Sequence, residues 1–389
     1  MSQLLESRWS ETKEALLEGL QGNKRSVMAT TLENTRKYLA ESATAGATSA
    51  GNVATLNRVI LPVIRRVMPT VIANELVGVQ PMTGPVGQIH TLRVRYSDTF
   101  SGSTGGSTTA GEEALSPFKI AEGYSGSDAG KASATAALEG VAGNKLSIQI
   151  LKQTVEAKTR KLSARWTFEA AQDAQAQQGI DIEAEIMAAL AQEITAEIDQ
   201  EVLRSLASLS STVLTYDQAA VSGTATFVGD EHAALAVQIN RAANLIAQRT
   251  RRGAGNWAVV SPTTLTLLQS ATTSAFARTT EGTFEAPTNT KFVGTLNSAM
   301  KVYVNTYAEN DNVLVGYKGG SESDAAAFYC PYIPLMSSGV VLDPATFEPV
   351  VSFMTRYGYV ELTNTASSLG NAADYLATVN VTSANLRFA

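Results

Sequence analysis

Residues 162–209 read LSARWTFEAAQDAQAQQGIDIEAEIMAALAQEITAEIDQEVLRSLASL, and the part that follows Gly179 decides the architecture. It has no Pro or Gly and is rich in Ala, Glu, Leu and Ile, which predicts one long helix. At ~1.5 Å per residue it spans roughly 45 Å, more than one compact subdomain needs. Ile186, Leu190, Ile194, Ile198, Val202 and Leu206 recur every fourth residue. Each step of four advances the stripe about 40° around the helix, so the buried face rotates along the rod. That pattern suits a spine crossing several neighbours, whereas a coiled coil needs a 3.5-residue repeat. Glu185, Glu193, Glu197 and Glu201 lack the Glu-x-x-His pairing of a di-metal helix and read as a solvated, salt-bridged face.

Upstream, residues 64–96 read IRRVMPTVIANELVGVQPMTGPVGQIHTLRVRY and end in a strand, with Leu92, Val94 and Tyr96 in phase. KLSIQI (145–150) predicts a second strand carrying Leu146, Ile148 and Ile150. Between them, SGSTGGSTTAG (101–111) holds only Gly, Ser, Thr and Ala. Ordering those residues costs on the order of 10–20 kcal/mol, with no apolar side chain to offset it. The run is either disordered or ordered against another surface, and the expectation is a projecting hairpin that meets a partner. Nearer the start, residues 1–41 read as two short amphipathic helices, the first presenting Leu5, Trp9, Leu16 and Leu20. SATAGATSAGN (42–52) then reads as a linker isolating them.

Downstream, Asp230 is the expected N-cap of a helix with Leu235, Ile239, Ala242 and Ile246 on one face. WAVV (257–260) is a buried strand, and Ser261-Pro262 opens the next helix. Strands follow at 300–305, 312–317 and 326–330, then a Pro-rich turn (331–334) and a long strand over 347–362. YLATVNV alternates as a last strand. The helix–strand–helix–strand order predicts a compact α/β region at 229–343.

Composition and chemistry exclude most other classes. The 389 residues are 44% hydrophobic and 17% charged, with a net charge of −6, which argues against nucleic-acid readout. No run of eighteen apolar residues exists, so neither a membrane-spanning helix nor a membrane partner is expected, and the acidic N-terminus is no signal peptide. One cysteine, Cys330, excludes an internal disulfide and fits a reducing compartment. His90 and His232 stand far apart with no metal-ligand spacing. SGSDAGKA (125–132) fails the phosphate-loop pattern at both ends. Arg249, Arg251 and Arg252 form a basic turn, read as solvated or as an inter-subunit ion-pair site. No enzyme, metal or cofactor is expected.

Five segments carry a resemblance. Residues 64–96, LSARWTFEAAQDAQAQQGIDIEAEI, RRGAGNWAVVSP, VYVNTYAENDNVLVGYKGGSESDAAAFYCPYIPL and FEPVVSFMTRYGY resemble, in order, the major capsid proteins of T-even-type myoviruses, over about 53–362. The resemblance implies an α+β fold of the Hong Kong 97 type. Residues 1–62 would form N-terminal helices and arm, and 63–96 the start of a peripheral domain. An E-loop would follow at 97–158, then the rest of the peripheral domain with its spine helix at 159–228. The axial domain would span 229–343, and return strands with a C-terminal tail 344–389. The E-loop would lie over a neighbouring subunit, with Ser101, Gly102, Gly105, Gly106 and Gly111 in that contact. The stretch between Tyr96 and Lys145 is too short for the insertion domain of T-even shells.

The function implied is self-assembly, in the host bacterial cytoplasm, of hexamers, with pentamers built from the same chain or left to a paralogue, into an icosahedral shell around packaged double-stranded DNA. Scaffold, portal, prohead protease and decoration proteins would be partners. Rivals are a pentamer-only vertex protein, an encapsulin-like compartment shell or, from another class, an enzyme with a novel site. Leu39-Ala40-Glu41 fits the Leu/Ile-x-Glu pattern expected of T-even prohead proteases, at the junction of helix and linker.

Overall fold

The computed structural model describes residues 9–10, 13–18, 20–45, 72–101, 107–112, 114, 124–125, 132, 134–140, 142–178, 181–210, 213–221, 228–250, 252–271, 276–278, 290–297, 299–321, 324–346, 348–363 and 371–382. The fold is mixed α+β, in two compact units. The first takes Met1–Gly87, Val155–Arg204 and Phe328–Val360; the second takes Gln88–Thr154, Ser205–Ala327 and Glu361–Ala389.

The long helix forms as its composition dictates, over Ile182–Leu209. Leu190, Ile194, Ile198, Val202 and Leu206 are buried, and Ile186 is half-buried. The first unit also holds a five-stranded sheet in which Pro349–Glu361 is central. Lys158–Arg165 runs antiparallel to it, from Val350 opposite Arg165 to Tyr357 opposite Lys158. Ala327–Ser337 lies beside it and pairs in parallel with Gly78–Val79. The turn expected at 331–334 is therefore strand. Proline is tolerated because Pro331 is asked only for its carbonyl, which accepts the Met82 N–H at 3.0 Å.

The N-terminal expectation also needs correction. The second helix spans Gly22–Ala45, so the linker does not begin at residue 42, and 46–52 lie outside the described residues. Nor is this helix isolated. Val27, Met28, Thr31 and Leu32 are buried, and Lys24 pairs with Glu75 at 2.6 Å. The Asn34 amide donates to Met82 O at 2.6 Å and to Tyr332 O at 3.0 Å. Apolar burial fixes the face, and the amide ties it to two separate chain segments. Ahead of it, Leu16 is buried and Trp9 and Leu20 half-buried, while Leu5 lies outside the described residues.

The second unit holds a seven-stranded mixed sheet. Its order is Val213–Tyr216, Leu376–Val381, Val313–Gly316, Trp257–Val260, Met300–Asn305, Thr290–Leu296 and Phe276–Arg278. The helix Val228–Thr250 packs Leu235, Ile239, Ala242 and Ile246 into the core over this sheet, the face read from the sequence. Asp230 falls inside its first turn instead of capping it. Ser261 does cap Pro262–Ser270, accepting the Thr264 N–H. The α/β region is not confined to 229–343. The sheet recruits strands from either side of that span, and Ala327–Ser337 belongs to the other sheet. Long-range strand pairing decides membership, and helix–strand order along the chain does not register it.

Candidate assembly surfaces

Strands Val86–Tyr96 and Leu146–Glu156 pair as a two-stranded ribbon. Leu146, Ile148 and Ile150 alternate onto one face, and they are 53%, 69% and 66% exposed. Ser147 and Gln149, on the other face, are exposed as well, so among the described residues neither face of this stretch is covered. Val86 adds another exposed aliphatic on the partner strand. Burying such a side chain is worth about 1.5–3 kcal/mol, so an in-phase row of three is a strong contact surface. A smaller apolar group, Val340, Val341 and Leu342, is exposed in the first unit, beside the central strand's edge.

At the end of the ribbon the loop closes on itself. Phe100–Ser101 pairs with Ser107–Thr108, and Thr108 is fully buried. Glu112 O accepts the Tyr96 N–H, Tyr96 O accepts the Gly111 N–H, and Val94 O accepts the Ala114 N–H. Tyr124 packs at a tilt against Tyr96, ring centroids 4.5 Å apart, and meets Phe100 edge-on at 6.4 Å. The surface against which 107–111 orders is thus supplied, within the described residues, by the chain itself. The offsetting apolar contacts come from Tyr96, Phe100, Ala114 and Tyr124, all outside the Gly/Ser/Thr run.

Of the residues singled out for inter-subunit contact, Ser101 is exposed at a strand end, and Gly111 sits in a turn at φ 92°. That left-handed conformation is one glycine adopts freely. Gly102, Gly105 and Gly106 lie outside the described residues, as does Arg251. Arg249 is half-buried in the last turn of its helix. Arg252 pairs with Asp324 at 2.7 Å within the same chain, and Arg252 O accepts the Tyr317 hydroxyl. Leu39, Ala40 and Glu41 lie inside helix Gly22–Ala45, not at its end.

The titratable groups are structural in their geometry. Arg160 bridges Glu197 and Glu201 and donates to the Tyr357 hydroxyl, which donates to Glu201. Burial alone would raise the Glu201 carboxyl, but the bonds from Tyr357 and Arg160 outweigh it and hold the group below its ordinary range. Burial pushes the Cys330 thiol up to about 12, leaving little nucleophilic thiolate. His232 is buried and held below its ordinary value by that burial, with Nδ1 2.6 Å from Ser270 Oγ. His90 is exposed on the ribbon. Among the described residues no cluster of three His, Cys, Asp or Glu could hold a metal, and no helix is long and apolar enough to cross a membrane.

Sequence reasoning read Leu146, Ile148 and Ile150 as in phase but not as uncovered, and it passed over Tyr124. The signal for Tyr124 was available: an aromatic in a Gly- and Ser-rich run has nothing local to pack on, so it must reach a distant segment.

A family model described as Major capsid protein Gp23 matches residues 53–384. The match continues past residue 362, through nearly all of the tail. The major capsid protein of Vibrio phage KVP40 is 30% identical, over 85% of this chain and 82% of its own length. That of Enterobacteria phage T4 is 30% identical, over 82% and 78%. Among solved structures, the capsid of Myoviridae phage XM1 gives a TM-score of 0.43 at 9% identity, over 79% of this chain and 91% of that one. Microbacterium phage Oxtober96 gives 0.46 at 12% identity, over 79% and 90%.

Proposed function

From the premise that this chain belongs to the family of the major capsid protein Gp23 and forms a phage head shell, we propose that its ribbon is the main contact between copies in that shell. The exposed row Leu146, Ile148 and Ile150 carries this reading. Aliphatic side chains left uncovered in an assembling subunit mark where the next subunit sits. In Hong Kong 97 terms the loop and the ribbon's returning strand, within 97–158, are the E-loop. The unit with the five-stranded sheet and long helix is the peripheral domain, and the seven-stranded unit is the axial domain. Heterologous contacts that close into rings make capsomers, and several modest contacts per subunit sum to a stable shell.

Scaffold, portal and prohead protease are further partners, with decoration proteins on the outer surface. Packaged double-stranded DNA meets the shell without specific contacts. The net charge of −6 supports this, since an acidic wall lets nucleic acid slide. Leu39-Ala40-Glu41 retains its protease pattern. Because it lies within the last two turns of a helix, cutting after Glu41 first requires those turns to unwind. The intact mass of chains from DNA-filled virions distinguishes a start at Ser42 from a retained arm.

Ile148→Asp tests the main reading. The side chain is exposed in the subunit, so folding should be unchanged while shells, seen by negative stain, are lost. Normal shells from this variant would exclude the ribbon as the main contact.

A further inference from the structure

Tyr124 joins three parts of the chain that are distant in sequence. Its ring packs on Tyr96 at the end of one ribbon strand and on Phe100 just beyond it. Its hydroxyl accepts the Asp98 N–H at 3.1 Å and donates to Lys145 O at 2.7 Å. Its own carbonyl accepts the Asn144 side-chain amide at 2.6 Å. Asp98 completes the closure: its carboxylate accepts the Lys145 N–H at 2.8 Å, while Ser97 N–H donates to Lys145 O at 3.0 Å. The loop's entry and exit thus bond to each other, and Tyr124 ties the middle of the loop to both.

All of these partners belong to one chain. A loop that ordered only on a neighbour would leave its entry and exit groups to find partners there. Here these groups find partners within the chain.

We infer that Tyr124 is a positioning residue that folds the loop in the unassembled subunit, so that the ribbon meets the next copy already rigid. Removing the freedom of a contact segment beforehand strengthens association without adding a contact. The assembly consequence rests on the ribbon being the contact between copies; the folding of the loop does not.

Hydrogen exchange on the unassembled subunit tests the first part. The amides of Ser97, Asp98, Gly111, Ala114 and Lys145 should be protected in the parent chain and exposed in Tyr124→Ala. Amides of the seven-stranded sheet should be unchanged in both. Tyr124→Phe keeps the ring contacts and loses only the hydroxyl bonds, so its protection should fall between the two. The critical concentration for assembly should rise roughly tenfold or more in Tyr124→Ala, and less in Tyr124→Phe.

Exchange-exposed loop amides in the parent subunit overturn the inference, and so does Tyr124→Ala assembling at the parent concentration. Ile148→Asp separates the two readings. It should keep the loop amides protected, so normal assembly of that variant would remove the ribbon contact while the exchange data still decide the role of Tyr124.

Discussion

Asp199, on the long helix, accepts the backbone N–H of Ile72 at 2.9 Å and has no other hydrogen-bond or ion-pair partner among the described residues. The residue is 2% exposed. Burial moves its carboxyl from 3.8 up to about 7, and the bond from Ile72 only partly opposes this.

Stability should therefore fall as pH rises through this window. A carboxyl whose pKa is raised by folding contributes most when protonated, below about pH 4, and loses that contribution as pH climbs to about 7. Asp199→Asn removes the titration and keeps an acceptor for Ile72. Thermal melts of the unassembled subunit should show the variant ahead by an upper value of about 4 kcal/mol at pH 8, converging with the parent near pH 4. Parallel curves across pH 4–8 would contradict the assignment.

Glu201 acts in the opposite sense. Its pKa is lowered in the folded chain, so its contribution is present above the ordinary carboxylate range and is lost as pH falls through it. Arg160→Met leaves Glu197, Glu201 and Tyr357 without their shared cation. A loss of about 1–2 kcal/mol at pH 7 is expected, limited because these side chains are part-exposed. The loss should shrink at acid pH, as denaturant midpoints at pH 3.5 and pH 7 would reveal.

Gly316 lies opposite Trp257 in neighbouring antiparallel strands of the seven-stranded sheet. A Cβ at 316 would fall 2.0 Å from Trp257 Cζ2, and the indole is buried. Gly316→Ala should cost about 3 kcal/mol or more through overpacking. Adding Trp257→Leu should recover part of that loss, with urea midpoints as the measure.

Deleting 98–140 removes the loop but leaves both main sheets intact. Circular dichroism should retain the helix and sheet signal, while electron micrographs should show no shells. Normal shells from this variant would deny the loop a part in assembly.

The family was legible because it rests on long ordered segments, and the spine was legible because helical periodicity is local. Six apolar residues at a spacing of four fix which side of a helix is buried whatever lies against it. The helix Val228–Thr250 and the Ser261 cap were readable for the same reason. The sequence did not reveal which strands share a sheet. Leu376–Val381 pairs in parallel with Val213–Tyr216, more than 150 residues away, and Ala327–Ser337 runs through two prolines. Such pairings depend on which edges meet in space, and alternation is the same in either sheet. The surfaces divide likewise. Composition told that 101–111 could not order itself, but only the tertiary structure brought Tyr124 to Tyr96 and Phe100. Alternation placed Leu146, Ile148 and Ile150 on one face, while their exposure among the described residues is a property of the fold.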